Sequence, residues 1–212
     1  MGNDNQMNMS NARAGMKLAH FAATAMLAPM WLWFAYRHVH AYLDTGTWSY
    51  LFLCVSETLT VAFLLVRSYP KSVSAVRSDW LIAIIGSFST LCMAPADWGL
   101  LPEARHAVAV GTFMQALGML SLNRSFGLVA ATRRIKTGGL YRYIRHPLYA
   151  SYLITFTGYL LANTSRENVA VYVFAMGCMM VRIYREEHHL ALETAYRDYM
   201  DRVRYRLIPF VF

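Results

Sequence analysis

LAHFAATAMLAPMWLWFAY, residues 18–36, runs 19 residues without Asp, Glu, Lys or Arg, close to the roughly 20 apolar residues with which a helix crosses a hydrocarbon core. Similar windows follow at 47–66, where Glu57 is the only charge, and at 80–96, 107–123, 147–165 and 168–181. The chain of 212 residues is 57% hydrophobic and 15% charged, too apolar for an ordinary soluble domain. The sequence therefore predicts an all-α polytopic membrane protein of about six transmembrane helices, the last two forming a hairpin joined through 163–167. Residues 1–17 are polar and rich in Asn and Met, which predicts a loose tail and not a signal peptide.

Charge placement carries the next step. Seventeen of the 20 basic residues fall in the segments on one side of that six-span alternation, and Arg37, Arg105 and Arg166 fall on the other. By the positive-inside rule both termini are expected in the cytoplasm. The net charge of +8 borders apolar windows and forms no dense tract, which excludes a nucleic-acid partner. Cys54, Cys92 and Cys178 are scattered, with neither CxxC nor paired spacing, and support no disulfide framework. His38-x-His40 and His188-His189 are the only metal-like patterns; the first pair falls on the opposite face, and the rings of the second diverge by about 100° on a helix. No metal is expected.

Two segments can carry chemistry. In the first, Arg145-His146-Pro147 sets a fixed cation and a titratable ring before a proline suited to the first turn of a helix. The unpaired N–H groups of that turn, beside His146 and Tyr149, would suit an anion such as a carboxylate. In the second, Arg182 and Glu186 are i, i+4 neighbours on a helix, whereas Glu187 is offset from Arg182 by about 140°. One carboxylate of the pair is then expected in a structural ion pair and the other toward a ligand. Glu57, inside an apolar window, is an ionisable group with a functional reading of its own.

The motif set Thr137-x-Gly139-x-Tyr141-x-x-x-Arg145-His146-Pro147-x-Tyr149, then Arg182-x-x-x-Glu186-Glu187-x-x-Leu190, then Tyr196-x-x-Tyr199-x-x-x-Val203 and a terminal Ile208-Pro209 resembles the integral-membrane methyltransferases of the isoprenylcysteine carboxyl methyltransferase and phospholipid methyltransferase superfamily. The resemblance covers about residues 121–209. It implies S-adenosylmethionine as methyl donor, held by Tyr141, Arg145, His146, Pro147, Tyr149 and Glu186, with Arg182 and Glu187 at the reaction centre. A membrane-embedded or lipidated acceptor is implied as well. The sequence departs from the family where Glu193-Thr194-Ala195 precede Tyr196 in place of a Phe-Gly pair, and where no proline follows Val203.

These readings divide the chain into a polar tail (1–17), a four-span membrane region (18–123) and a catalytic region (124–212) with a loop, the hairpin 147–181 and a cofactor-binding tail. Carboxylate O-methylation is favoured, with Arg182 as a two-pronged clamp; for amine N-methylation Glu187 would be the base. The rivals are a membrane NADPH-dependent reductase of the sterol-reductase kind and a non-enzymatic membrane scaffold.

Overall fold

A computed structural model describes residues 29–66, 72–73, 76–122, 131–132 and 135–212. The expected tail 1–17, the first part of the window 18–36 and the stretch Asn123 to Gly127 lie outside the described residues. Among the described residues there are seven α-helices: α1 (29–45 as described), α2 (Ser49–Val66), α3 (Arg77–Phe88), α4 (Arg105–Leu122), α5 (Pro147–Ala162), α6 (Arg166–Leu190) and α7 (Thr194–Arg202). The only strand pairing among the described residues is a two-residue antiparallel contact of Ser72–Val73 with Ala131–Thr132. The all-α expectation holds.

The membrane-spanning expectation does not. Among the described residues no helix is long and apolar enough to cross a membrane, which overturns the polytopic expectation of about six transmembrane helices. At 1.5 Å per residue, the 12 residues of α3 and the 16 of α5 reach only about 18 and 24 Å, short of a core about 30 Å thick. The 25 residues of α6 have the length but include Arg166, Glu167, Arg182, Arg185, Glu186 and Glu187. In α2, Ser49, Ser56, Glu57, Thr58 and Thr60 interrupt the apolar run.

The window 80–96 shows why apolar length alone misleads. Helix α3 stops at Phe88, a 3-10 turn covers Ser89–Cys92, and the backbone is extended at Met93. Ser89 Oγ donates to the Gly86 carbonyl and Thr90 Oγ1 to that of Ser87, the local side-chain competition that weakens a helix ladder. Pro95 follows, and the residue before a proline is pushed out of the helical region. Asn168 of α6 then grips the extended segment, accepting from Ala94 N at 3.0 Å and donating to Ala94 O at 2.8 Å.

Packing is tightest between α4 and α5. A Cβ on Gly111 would collide with the Thr155 side chain and backbone, and one on Gly158 with Ala107 and the Ala104 carbonyl; glycine permits the two backbones to approach. The end of the bundle around the α5–α6 turn is built on Phe34, Tyr50, Leu53, Phe88, Val108, Phe156 and Tyr159. His38 is fully buried there, with Nδ1 at 2.8 Å from the Phe34 carbonyl and Nε2 at 2.7 Å from Tyr159 Oη. The carbonyl can only accept, so Nδ1 carries the hydrogen and Nε2 receives that of the tyrosine. Burial lowers the His38 pKa to about 4, which keeps this ring neutral and structural. The second core cluster, Ile144, Tyr149, Ala150, Met179, Ile183 and Leu207, ties α5, α6 and the C-terminal tail together beneath the polar end of the molecule.

Candidate functional site

Pro147 opens α5 at its first turn with His146 at the N-cap. The two residues before the proline are fixed by the returning tail: Arg145 N donates to the Tyr205 carbonyl and His146 N to that of Arg206, each at 2.9 Å. The tail folds back because α7 ends at Arg202 and docks by its tyrosines. Tyr199 Oη donates to the Tyr141 carbonyl at 2.7 Å, and Tyr196, Tyr199 and Val203 pack with Ile135 and Leu190. The last segment closes on itself, with the amides of Arg206, Leu207 and Ile208 all donating to the Phe212 carbonyl.

Glu187 is the hub of this arrangement. It is buried, and two arginines and a histidine converge on it. Arg145 Nε lies 2.8 Å from Oε1 as an ion pair whose N–H is not aimed along a hydrogen bond, His146 Nε2 donates to the same oxygen at 3.1 Å, and Arg206 Nε donates to Oε2 at 2.8 Å. Burial pushes the carboxyl up, yet the hydrogen bonds from His146 and Arg206 and the nearby charges outweigh it and hold the pKa at about 2. A carboxyl lowered from 4.5 binds its proton more weakly in the folded state, so its stabilisation is complete above pH 4.5 and drains away as pH falls toward 2. The melting temperature should therefore fall through that window, and the same scan on Glu187→Gln should lack this component; parallel curves for the two proteins would contradict it.

Glu186, one residue earlier, faces elsewhere. It accepts from Tyr149 Oη at 2.9 Å, and among the described residues no cation lies within ion-pair distance of it. Arg182 stacks on the other side of the same tyrosine, its guanidinium carbon 5.3 Å from the ring centroid, while Nη1 donates to Ser87 Oγ at 2.7 Å. Arg185 reaches α3 as well, through Ser78 and Asp79. Tyr149 thus bridges Arg182 and Glu186, the i, i+4 pair of the sequence, and separates two clefts. Asp79, Ile82, Ala83, Arg185 and Glu186 line one; Glu57, Thr60, Ser87, Thr90, Tyr152 and Phe156 are on the walls of the other. Tyr149 and Arg182 line both.

The structure brings the sequence-derived residues together in two groups. Arg145, His146 and Glu187 form the clamp at the start of α5, with Pro147 fixing its first turn. Tyr149, Arg182 and Glu186 form the wall between the clefts. Tyr141 belongs to neither, since its carbonyl anchors α7 and its ring is buried. Sequence reasoning missed Arg206, the third side chain on Glu187, which sits in a tail whose return cannot be read from spacing. It also missed Asp79 and Ser87, acid and serine positions on a helix with no motif. Among the described residues no three His, Cys, Asp or Glu side chains gather as metal ligands.

The site is thus the end of a helical bundle where an arginine and a tyrosine stand between two small, mainly apolar clefts and the chain's own tail clamps a proline-started helix. Residues 99–198 match the phospholipid methyltransferase family, and across that stretch the resemblance drawn from the motifs is borne out. Methyl transfer is the class of reaction that this family carries out. No curated protein matches the chain.

Proposed function

We propose that the protein transfers a methyl group from S-adenosylmethionine to a lipid-like acceptor. The observation that supports it best is the match of residues 99–198 to the phospholipid methyltransferase family, over a stretch that brings Tyr149, Arg182 and Glu186 to one wall. The residues there suit a cationic donor group: the Glu186 carboxylate complements a sulfonium or ammonium, and the Tyr149 ring offers a π face to a cation. The donor supplies an electrophilic methyl group on positively charged sulfur. What remains for the chain is to orient the partners, match charge and exclude water. Arg145, His146 and Arg206 act one step back, holding Glu187 and with it the tail against the first turn of α5.

The lipid-like character of the acceptor draws support from α4. Val110, Phe113, Leu117 and Leu120 recur at helical spacing and are each at least 40% exposed, a stripe suited to an apolar partner.

Titrating S-adenosylhomocysteine into the purified protein in a calorimeter tests the reading directly, with NADP as the competing arm. Binding of the first and not the second is expected; the reverse would replace methyl transfer with nicotinamide chemistry. His146→Ala should weaken S-adenosylhomocysteine binding by about 1–3 kcal/mol, roughly five- to 150-fold in Kd, because Glu187, which holds the tail against the first turn of α5, loses a buried donor. Unchanged affinity would remove His146 from the donor site's support.

A further inference from the structure

Helices α2 and α4 run side by side in the same direction. Thr112 Oγ1 of α4 donates to the Phe52 carbonyl at 3.2 Å, and Gln115 Nε2, further along, donates to that of Ser56 at 2.9 Å. Their first residues, Ser49 and Arg105, therefore come together at one end of the bundle. That end is remote from the clamp: Gly158, near the end of α5, packs on Ala107, whereas Leu148, at its start, packs on Gly118. Two helix starts side by side repel, because each first turn carries N–H groups without intrahelical partners and the positive end of a dipole. An anion between them would relieve both.

An open cleft of about 660 Å³ lies there, with Thr47, Trp48, Ser49 and Phe52 on one side and Arg105 and His106 on the other. Gly46, at φ 66°, closes α1 in the left-handed conformation and turns the chain into this wall. Ser49 supplies an independent sign of a ligand. It is 5% exposed, and its Oγ is buried with no hydrogen-bond partner among the described residues. A buried hydroxyl ordinarily finds a partner, and this one belongs to a residue that lines the cleft together with a permanently charged arginine. Among the described residues no Asp or Glu lines the cleft. Glu103 meets Arg105 and His106 at 3.5 and 3.4 Å, but its side chain is 69% exposed, and so open an ion pair is weak enough for another anion to compete.

We infer that this cleft is a second binding site, one for a phosphate group, separate from the methyl-transfer site. Phosphate has three or more acceptor oxygens and can meet donors from both helices at once: the Arg105 fork, the Ser49 hydroxyl and the first-turn amides. The flank of the cleft points to what carries the phosphate. His106, Val110, Phe113, Leu117 and Leu120 recur at helical spacing, and the four apolar residues are each at least 40% exposed, so a chain attached to the bound phosphate would lie down α4. Trp48, 63% exposed, adds a ring suited to the boundary between a polar head and an apolar chain. The ligand class is an amphiphilic phosphate ester, and the inference is independent of the methyl-transfer reading.

The test titrates three probes into the full-length protein in a calorimeter: dodecyl phosphate, inorganic phosphate and the neutral dodecyl maltoside, each below its micellar concentration. Dodecyl phosphate should bind about tenfold or more tighter than either of the others, since only it offers both charge and chain. Arg105→Gln should weaken dodecyl phosphate by about tenfold and Ser49→Ala by about threefold, while Glu103→Gln, which removes the competing carboxylate, should tighten it about twofold. Ser49→Ala is a small change that serves if Arg105→Gln does not fold. S-adenosylhomocysteine binding should be the same in all three variants as in wild type. Equal affinity for the maltoside and the phosphate would reduce the site to an apolar surface and overturn the inference. Inorganic phosphate binding as tightly as the ester would remove the chain from α4, and overturn the ligand class. Unchanged dodecyl phosphate affinity in both Arg105→Gln and Ser49→Ala would put the phosphate elsewhere, and loss of S-adenosylhomocysteine binding in step with it would deny that the two sites are separate.

Discussion

Glu187→Gln should cost about 3–5 kcal/mol of stability, the range seen when one partner of a buried ion pair is removed and the other is left uncompensated. The substitution preserves shape and one acceptor oxygen but removes the charge on which Arg145, His146 and Arg206 converge. The Arg145 side chain is only 9% exposed and has no other carboxylate within ion-pair distance among the described residues, so its desolvated cation becomes the main penalty. The Arg206 side chain is 29% exposed and recovers hydration more cheaply. Damage should be concentrated where the clamp acts: the amides of Arg145 and His146, bonded to the tail carbonyls of Tyr205 and Arg206, should lose hydrogen-exchange protection first. The turn-end core around His38 and Tyr159 should keep it. A variant within about 1 kcal/mol of wild type, with unchanged protection at 145–146, would show that the clamp is dispensable.

How much of this arrangement is legible in the sequence depends on distance along the chain. Pro147 announces the start of α5 because a proline belongs in a first turn, and the i, i+4 relation of Arg182 to Glu186 places them on one face. What joins them is Tyr149, more than thirty residues earlier, whose hydroxyl meets Glu186 and whose ring meets Arg182; pairwise helix spacing cannot supply a bridge of that kind. The offset of about 140° between Arg182 and Glu187 does foretell that the two would part company, and they do. Glu187 turns to Arg206, reached only because α7 docks through Tyr199 on the Tyr141 carbonyl and reverses the tail. The match to the phospholipid methyltransferase family accords with the motifs, whereas the six spans read from apolar length do not survive, because serine and threonine hydroxyls, Pro95 and the charges of α6 limit what those windows can become.

Glu57 and Arg182 illustrate the same limit from the side of chemistry. They are far apart in sequence and line one cleft, and neither has a motif partner that would point to the other. An acidic residue in an apolar window is a functional candidate on residue type alone; that it shares a cleft with Arg182 is seen only in the fold. The division of labour that results is spatial. Carboxylate Glu187 serves the clamp, Glu186 lines the cleft beside Asp79 and Glu57 the one beside Thr90; hydrogen bonds and nearby charges hold Glu187 down at about 2, whereas burial raises Glu57 to about 7.

Arg182→Lys should lower turnover about a hundredfold or more while S-adenosylhomocysteine binding stays within about threefold of wild type. Its Nη1 donates to Ser87 Oγ, its guanidinium carbon lies 5.3 Å from the Tyr149 ring centroid, and the residue lines both clefts. A lysine ammonium is a compact point charge on a flexible stem and cannot stack on a ring, hold a serine and present a planar fork at once. A hundredfold loss corresponds to about 2.7 kcal/mol of transition-state stabilisation, within reach of what a charge-assisted, two-pronged hydrogen bond supplies in a site shielded from water. The loss should fall on kcat more than on KM if the acceptor's oxyanion is held most tightly as the methyl moves. Because Glu186 and the first turn of α5 are untouched, donor binding should persist. Near-full activity in the lysine variant would mean that a positive field suffices at this position, and a parallel collapse of S-adenosylhomocysteine binding would place Arg182 in the donor's seat instead of between the two.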